Sequence, residues 1–147
     1  MLELYLRYYP SQFSTQFVGD LFLGGNASTC LSLIKILQEL TTSRKILTEI
    51  SSTKPKRDPL GNLTQYHCDT FELLEWHYYE GLDRVKFEHK GKRFRIHLNQ
   101  YTLDELITSL QKLQKEKVDY GMDAYELVSQ EGVVKRADRR LWFVRLG

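Results

Sequence analysis

The stretch from Arg84 to Asn99 reads RVKFEHKGKRFRIHLN, and its regular alternation of apolar and charged residues decides the fold class. Such alternation is typical of half-buried β-strands. Lys90-Gly91 separates the two alternating runs and predicts a two-residue turn, because glycine readily adopts the positive φ that such turns need. The stretch therefore predicts a β-hairpin.

The predicted register places apolar side chains on one face of the hairpin and charged side chains on the other. Phe87 faces Phe94, and Val85 faces Ile96. A shift by one residue would bury charge, so the register is consistent with the pattern. The opposite face pairs Glu88 with Arg93, Lys86 with Arg95 and Arg84 with His97.

The preceding run, Leu74 to Tyr79, predicts a third strand of the same sheet, joined to the hairpin by a four-residue loop over 80–83. Its residues Leu74, Trp76 and Tyr78 would share the apolar face of the hairpin. Glu75, His77 and Tyr79 would then lie beside the charged residues of the other face. The three strands together predict a meander with one open, charged face.

Three other segments have the pattern of strands. Residues 2–9 alternate apolar and polar side chains and end before Pro10, and residues 16–23 predict a second strand. Residues 140–146 predict a C-terminal strand, hairpinned through 137–138 to 133–134.

Two segments follow helical periodicity. Gly24-Gly25 is expected to break the chain, after which Asn26 or Ser28 caps a helix. The second helix is expected to begin at Thr102, the first residue of a Thr-x-x-Glu capping box. The apolar stripes are Cys30, Leu33, Ile34, Leu37 and Leu40, widened by Leu31 and Ile36, in the first helix and Leu103, Leu106, Ile107, Leu110 and Leu113 in the second.

These elements predict an α+β fold. We expect a single domain over residues 1–147, with a mainly antiparallel sheet and two main helices packed on one face. A chain of 147 residues, 41% of them hydrophobic, suffices for one core. Residues 51–62 are rich in Ser, Pro and basic residues and predict an exposed basic loop within that domain.

The sequence also predicts a cellular compartment. No apolar run approaches the roughly 20 residues that cross a bilayer, and the first residues lack the pattern of a secretory signal. Cys30 and Cys68 are too few for a disulfide framework, which favours two reduced, buried thiols. We therefore expect a cytoplasmic protein without a membrane segment.

Charge is unevenly distributed, although the net charge is only +2. Basic residues cluster in the hairpin, in the 51–62 loop and near the end of the chain, and an acidic segment over 116–131 would partly neutralise them. The basic clusters outside the hairpin are Lys54, Lys56 and Arg57, and Lys135, Arg136, Arg139, Arg140 and Arg145.

The open face of the sheet is the main candidate binding surface. Its cations, interleaved with Tyr and His, suit an acidic protein partner or a nucleoprotein assembly in which phosphates and RNA bases are contacted. The alternative is a solvated face that keeps the sheet soluble. The candidate binding residues are Arg84, Lys86, Arg93, Arg95, His97, His77 and Tyr79.

Two other functions stay open. A small nuclease or other hydrolase would use His77 or His97 as general base with Arg95 steadying a phosphate, but nothing in the sequence fixes that geometry, so no catalytic residue is predicted and a non-enzyme is favoured. A structural subunit would instead pair another chain along a sheet edge, through residues 1–9 or 140–146.

Neither a metal nor a cofactor is predicted. His67, Cys68 and Asp69, together with Glu75 and His77, supply ligand types for zinc or iron, but their spacing matches no ligand motif. On a strand, Cys68 would point away from its two neighbours. Residues 24–26 precede a helix, where anions can bind, yet they lack a P-loop lysine, and a turn with an N-cap explains them.

Overall fold

The computed structural model describes residues 1–8, 20–52, 70–82, 85–115, 124–126 and 141–146. These residues form eight strands and two helices. In chain order they are β1 (Leu2–Tyr8), β2 (Leu21–Gly25), α1 (Ala27–Ser43), β3 (Lys45–Ser52), β4 (Leu73–Tyr78), β5 (Lys86–Lys90), β6 (Arg93–Leu98), α2 (Gln100–Lys115), β7 (Ala124–Glu126) and β8 (Leu141–Arg145).

The strands form one sheet in the order β5-β6-β4-β3-β1-β2-β8-β7. Neighbours β1–β2, β3–β4, β5–β6 and β7–β8 are antiparallel, whereas β1–β3, β2–β8 and β4–β6 are parallel. The α+β prediction is therefore confirmed, with two helices in the described residues. The expectation of a mainly antiparallel sheet is confirmed only in part, because the sheet is mixed, with four antiparallel and three parallel pairings among the described strands.

Both helices pack on one face of this sheet. They contact each other, and α1 also contacts β1, β2, β3 and β4. Their predicted apolar stripes join the side chains of the sheet in a single core that includes Leu4, Leu23, Trp76 and Phe94. Leu31 was expected to widen the stripe of α1, but it is exposed.

The hairpin lies where the sequence predicts it, with a different register. Phe87 pairs with Ile96 and Lys90 pairs with Arg93, so the turn consists of Gly91 and Lys92. Gly91 has φ +59°, and glycine at the first central position with positive φ is what a type II′ turn requires. The predicted pairing is wrong by two residues, an even number, so each side chain keeps its predicted face.

The predicted meander is also wrong, because β6, and not β5, lies beside β4. Leu74 pairs with Phe94 and Trp76 with Ile96 in a parallel ladder. Phe94 and Ile96 are fully buried, whereas β5 carries exposed lysines at both ends. The more apolar strand of the hairpin therefore lies inside the sheet, and the charged strand lies at its edge, where exposed lysines disfavour further pairing.

Two strands were not predicted, and one predicted break is absent. Neither β3 nor β7 was expected, and the first two residues of the predicted 51–62 loop belong to β3. Gly24 and Gly25 were expected to break the chain, but they continue β2 beside β8. A Cβ on Gly25 would lie 2.4 Å from the Thr29 side chain, so glycine there permits close packing against α1. Residues 16–19, 53–62 and 133–140 lie outside the described residues.

The helix caps confirm one expectation and correct another. Asn26 caps α1, since its Oδ1 accepts the backbone N–H of Thr29 at 3.1 Å. The second helix begins before Thr102, and Asn99 is its cap. The Asn99 Oδ1 accepts the Thr102 N–H at 2.8 Å, and the Thr102 hydroxyl accepts the Asn99 N–H at 3.0 Å. The two residues thus satisfy each other's backbone donors.

The strands proposed for edge pairing lie inside the sheet. β1 has β3 on one side and β2 on the other, and β8 lies between β2 and β7. Within the described residues, the sheet ends at β5 and β7. No helix in this part of the chain is both long and apolar enough to cross a membrane.

Candidate functional site

The open side of β3, β4, β6 and β5 presents three rows of side chains, which we call the charged face. Strand register defines the rows, because residues paired across neighbouring strands point to the same side of a sheet. The rows are Glu49, Leu73, Arg93 and Lys90; Leu47, Glu75, Arg95 and Glu88; and Lys45, His77, His97 and Lys86.

Glu75 is the centre of this face and has a fully buried side chain. Its Oε1 lies 3.2 Å from Lys45 Nζ and 3.5 Å from Arg95 Nε, and its Oε2 lies 3.3 Å from Arg93 Nη1. The ring Nε2 of His77 lies 2.5 Å from Oε1. One carboxylate thus contacts three permanent cations and an imidazole.

The Glu75 carboxyl is ionised in this setting. Burial raises its pKa, but the hydrogen bonds from His77 and Lys45, together with the positive charge of both groups, outweigh burial and hold the pKa below its ordinary value of 4.5. A carboxylate that remains charged at neutral pH accepts hydrogen bonds only. The His77 Nε2–H therefore donates to Glu75.

A second carboxylate organises the edge of the charged face. Glu88 Oε1 lies 3.2 Å from His97 Nε2 and 3.4 Å from Lys86 Nζ. Glu88 was expected to face Arg93, but the register places it opposite Arg95. The arginines Arg93 and Arg95 nevertheless form their ion pairs with Glu75.

The two histidines lie side by side in the third row. The ring centroids of His77 and His97 are 4.8 Å apart, and Lys45 and Lys86 end the row. Burial lowers the pKa of His97 from its ordinary 6.5, and the like charges of its neighbours, including Lys86 and Arg95, lower it further against the opposing effect of Glu88. His97 is therefore neutral at neutral pH.

The charged face carries a surplus of positive charge. Its strands contribute five permanent cations against three carboxylates, which gives a net charge of +2 without counting the two histidines. Leu47, with 48% of its surface exposed, adds an apolar contact beside the cations. No Phe, Tyr or Trp stands in the three rows as the described strands define them.

The structure brings together five of the seven predicted binding residues, namely Lys86, Arg93, Arg95, His97 and His77. Tyr79 follows the end of β4 with its ring beside Gly81, and it is 64% exposed. Arg84 lies outside the described residues.

Sequence reasoning missed Lys45 because it missed β3. The pattern that indicates this strand is the recurrence of β-branched residues at every second position, Ile46, Thr48 and Ile50. The residues between them are polar except for Leu47. Sequence reasoning also placed Glu75 on the open face without anticipating that the cations around it would bury it completely.

The other predicted clusters do not enlarge the charged face within the described residues. Arg145 is buried, and its Nε donates to the Leu113 carbonyl oxygen at 3.0 Å, so the expectation that it extends a basic surface is wrong. The remaining basic residues of the 51–62 loop and of 135–140 lie outside the described residues, as do residues 67–69 of the metal hypothesis. Elsewhere in the described chain, no three His, Cys, Asp or Glu side chains converge to hold a metal.

Comparison with protein-family models, curated proteins and solved structures finds no match to the chain. Function is therefore inferred from the geometry and charge of the charged face.

Proposed function

We propose that the protein is a small, non-catalytic binding module that holds an acidic protein partner on its charged face. The observation that carries this proposal is the arrangement of Lys45, Arg93 and Arg95 around the single buried carboxylate of Glu75. The cations are held in place by one negative charge, and their positive surplus faces solvent. A partner that supplies carboxylates would neutralise that surplus.

A face that only maintains solubility does not need such an arrangement. Burying a carboxylate carries a desolvation cost of several kcal/mol unless cations and hydrogen bonds offset it. Here the ion pairs that offset this cost hold the guanidinium groups of Arg93 and Arg95 in place, and each of these side chains is 38% exposed. Groups already ordered in the free protein lose less conformational entropy on binding, which favours association.

The composition of the charged face favours a protein over RNA. Single-stranded RNA is recognised largely through bases stacked on aromatic rings, and the three rows of described side chains offer no Phe, Tyr or Trp. The half-exposed Leu47 and the partly buried Leu73 lie among the cations instead. Such a mixture suits an acidic segment that also carries apolar side chains.

The experiment compares binding of two labelled probes by fluorescence anisotropy. One probe is a peptide that mixes aspartate with leucine, and the other is a single-stranded RNA of equal charge. The test variant K86Q/R93Q/R95Q removes three cations from the charged face. The control K35Q/K112Q/K115Q removes three exposed cations from the helical layer, so the net charge changes equally.

We expect the peptide to bind the wild type and the helix control alike, and to bind the K86Q/R93Q/R95Q variant about tenfold more weakly, since three surface charge contacts of roughly 0.5 kcal/mol each sum to about 1.5 kcal/mol. Equal weakening in both triple variants would show that only net charge matters. Tighter binding of RNA than of peptide would replace the acidic protein with a nucleoprotein partner.

We place this module in the cytoplasm, where its cysteines stay reduced. Cys30 is a free, buried thiol, and burial raises its pKa to about 11 despite the opposing charge of Arg145. A buried, protonated thiol is unreactive, which suits a packing role.

A second candidate function, hydrolysis of a phosphodiester, is favoured by one contact. Glu75 accepts a hydrogen bond from His77, as an orienting carboxylate does beside a general base. Turnover of a nucleic-acid panel that disappears in His77→Ala would establish this function, and no turnover with or without divalent metal would remove it.

A further inference from the structure

The histidine pair is surrounded by charge from all four strands of the charged face. The facing titratable or cationic groups are Lys45 of β3, Glu75 of β4, Lys86 and Glu88 of β5, and Arg95 of β6. Of the two rings, His77 donates a hydrogen bond to Glu75. His97 makes no comparable hydrogen bond, because its Nε2 lies near Glu88 without a hydrogen bond to it.

His97 therefore offers a ring nitrogen that is not already hydrogen-bonded within the described part of the protein. Lys86, Arg95 and the neighbouring His77 ring oppose a positive charge there, while Glu88 alone favours it. The side chain is 20% exposed, so most of the compensation by water is also lost. The free protein thus disfavours the imidazolium form.

We propose that the charged face takes up a proton at His97 when it binds its acidic partner, so that binding strengthens as the pH falls towards 6. This inference rests on the proposed function, since it concerns the same face and the same partner. A carboxylate of the partner placed over the third row adds a second negative charge beside His97, next to that of Glu88. By thermodynamic linkage, a ligand that favours protonation is itself bound more tightly when protons are abundant.

Among the side-chain types on the charged face, only histidine ordinarily changes its charge in the accessible pH range. The carboxylates of an aspartate-rich peptide, with pKa values of about 3.9, stay ionised above about pH 5.5. The lysines and arginines stay charged throughout. A change in affinity between about pH 8 and pH 6 therefore reports on histidine.

The experiment measures anisotropy of the labelled aspartate–leucine peptide between about pH 8 and pH 6, at constant ionic strength, for wild type, His97→Gln and His89→Gln. His89 is the matched control. It lies on the opposite side of β5 from the charged face, packed against the rings of Tyr8 and Phe94. We expect wild type and His89→Gln to bind roughly tenfold more tightly at the lower pH, and His97→Gln to bind with nearly constant affinity.

A second measurement needs no variant. Titration calorimetry in two buffers of different ionisation enthalpy gives the number of protons taken up per complex at neutral pH, which we expect to lie between zero and one and to be clearly positive. A wild-type affinity that does not change with pH, or no proton uptake, overturns the inference while leaving the proposed function intact. An equal pH dependence in His97→Gln also overturns it. Absence of peptide binding at every pH removes the proposed function itself.

Discussion

At the scale of single residues, Glu75 governs the stability of the charged face. Its side chain is fully buried yet ionised, and its charge holds together cations that would otherwise repel one another. Removing one member of such a set leaves uncompensated charge in a poorly solvated place, which costs much more than losing a surface ion pair.

Glu75→Gln is therefore expected to lower the free energy of unfolding by about 2–4 kcal/mol, since the amide keeps the volume and a contact with His77 but loses the charge. Glu88→Gln is the matched control, because Glu88 is 41% exposed and has two partners; its effect should stay below about 1 kcal/mol. Urea denaturation measures both. Equal stability of the two variants would mean that the buried charge contributes nothing.

The pH dependence of stability separates His97 from Glu75. The pKa of His97 is lower in the folded protein than its ordinary 6.5, so the unfolded chain binds more protons and stability decreases as the pH falls below about 6.5. The pKa of Glu75 is also lowered, and its contribution is lost only below about 4.5. Urea denaturation of His97→Gln at a series of pH values should show no loss of stability below about pH 6.5 but should still show the loss below about pH 4.5. A pH profile identical to that of the wild type would contradict this assignment.

Alternation along the strands predicts the face on which each residue of the site lies, but not how deeply it is buried. Parity along a strand assigned His77, Arg93, Arg95 and His97 to one face, and an error of two residues in register left that parity intact. Parity cannot tell how deeply a residue lies. The burial of Glu75 depends on which cations stand on the neighbouring strands, and this depends on pairings far apart in the sequence.

At the scale of elements, the second helix shows how a local signal can be misplaced. Thr102 has the residue type of an N-cap, but it occupies the third helical position, and Asn99 provides the cap. The Asn99 side chain also donates to the Leu82 carbonyl oxygen at 2.9 Å, which ties the helix to the segment after β4. One side chain thus fixes two connections.

Asn99→Ala should destabilise the protein by about 1–2 kcal/mol, because it removes both the cap acceptor and the contact with Leu82. Asn99→Asp keeps the acceptor, adds a favourable negative charge at the helix N-terminus and loses only the donor, so its cost should be under about 1 kcal/mol. Thermal unfolding followed by circular dichroism compares the two. A similar loss in both would assign the effect to the Leu82 contact instead of the cap.

The sequence predicted those helices and strands whose apolar residues recur with a clear period. Both helices and the strands β1, β4, β5, β6 and β8 follow clear apolar patterns, because each buries one side against the same core. The strand β3 was missed because it presents a leucine on its outer side and begins directly after α1. The C-cap of α1 is Arg44, which has φ +66°, a conformation in which glycine is the usual signal of a helix end.

At the scale of the whole molecule, strand order could not be read from local patterns. Neighbouring strands in the sequence were expected to be neighbours in the sheet, yet β6 separates β5 from β4, and β8 lies next to β2. These placements depend on which strand buries the most apolar surface, a property of the assembled core. The same long-range pairing brings Lys45 to the charged face and takes Arg145 away from it.

Arg145 joins the C-terminal strand to the helical layer. Its Nε donates to the carbonyl oxygen of Leu113, in the last turn of α2, and its Nη1 donates to that of Leu146 at 2.6 Å. Carbonyl groups at the end of a helix have no partner within the helix, so this buried guanidinium satisfies a group that burial would otherwise penalise.

Arg145→Ala should therefore lower the free energy of unfolding by about 2–4 kcal/mol through lost hydrogen bonds and lost packing of the side-chain stem. Lys112→Ala, at an exposed position near the same end of α2, should change it by no more than about 0.5 kcal/mol. Because Arg145 lies outside the charged face, the folded variant should still bind the acidic peptide with wild-type affinity. Weaker peptide binding with unchanged stability would instead assign Arg145 to the binding surface and contradict the arrangement of charge described for the whole molecule.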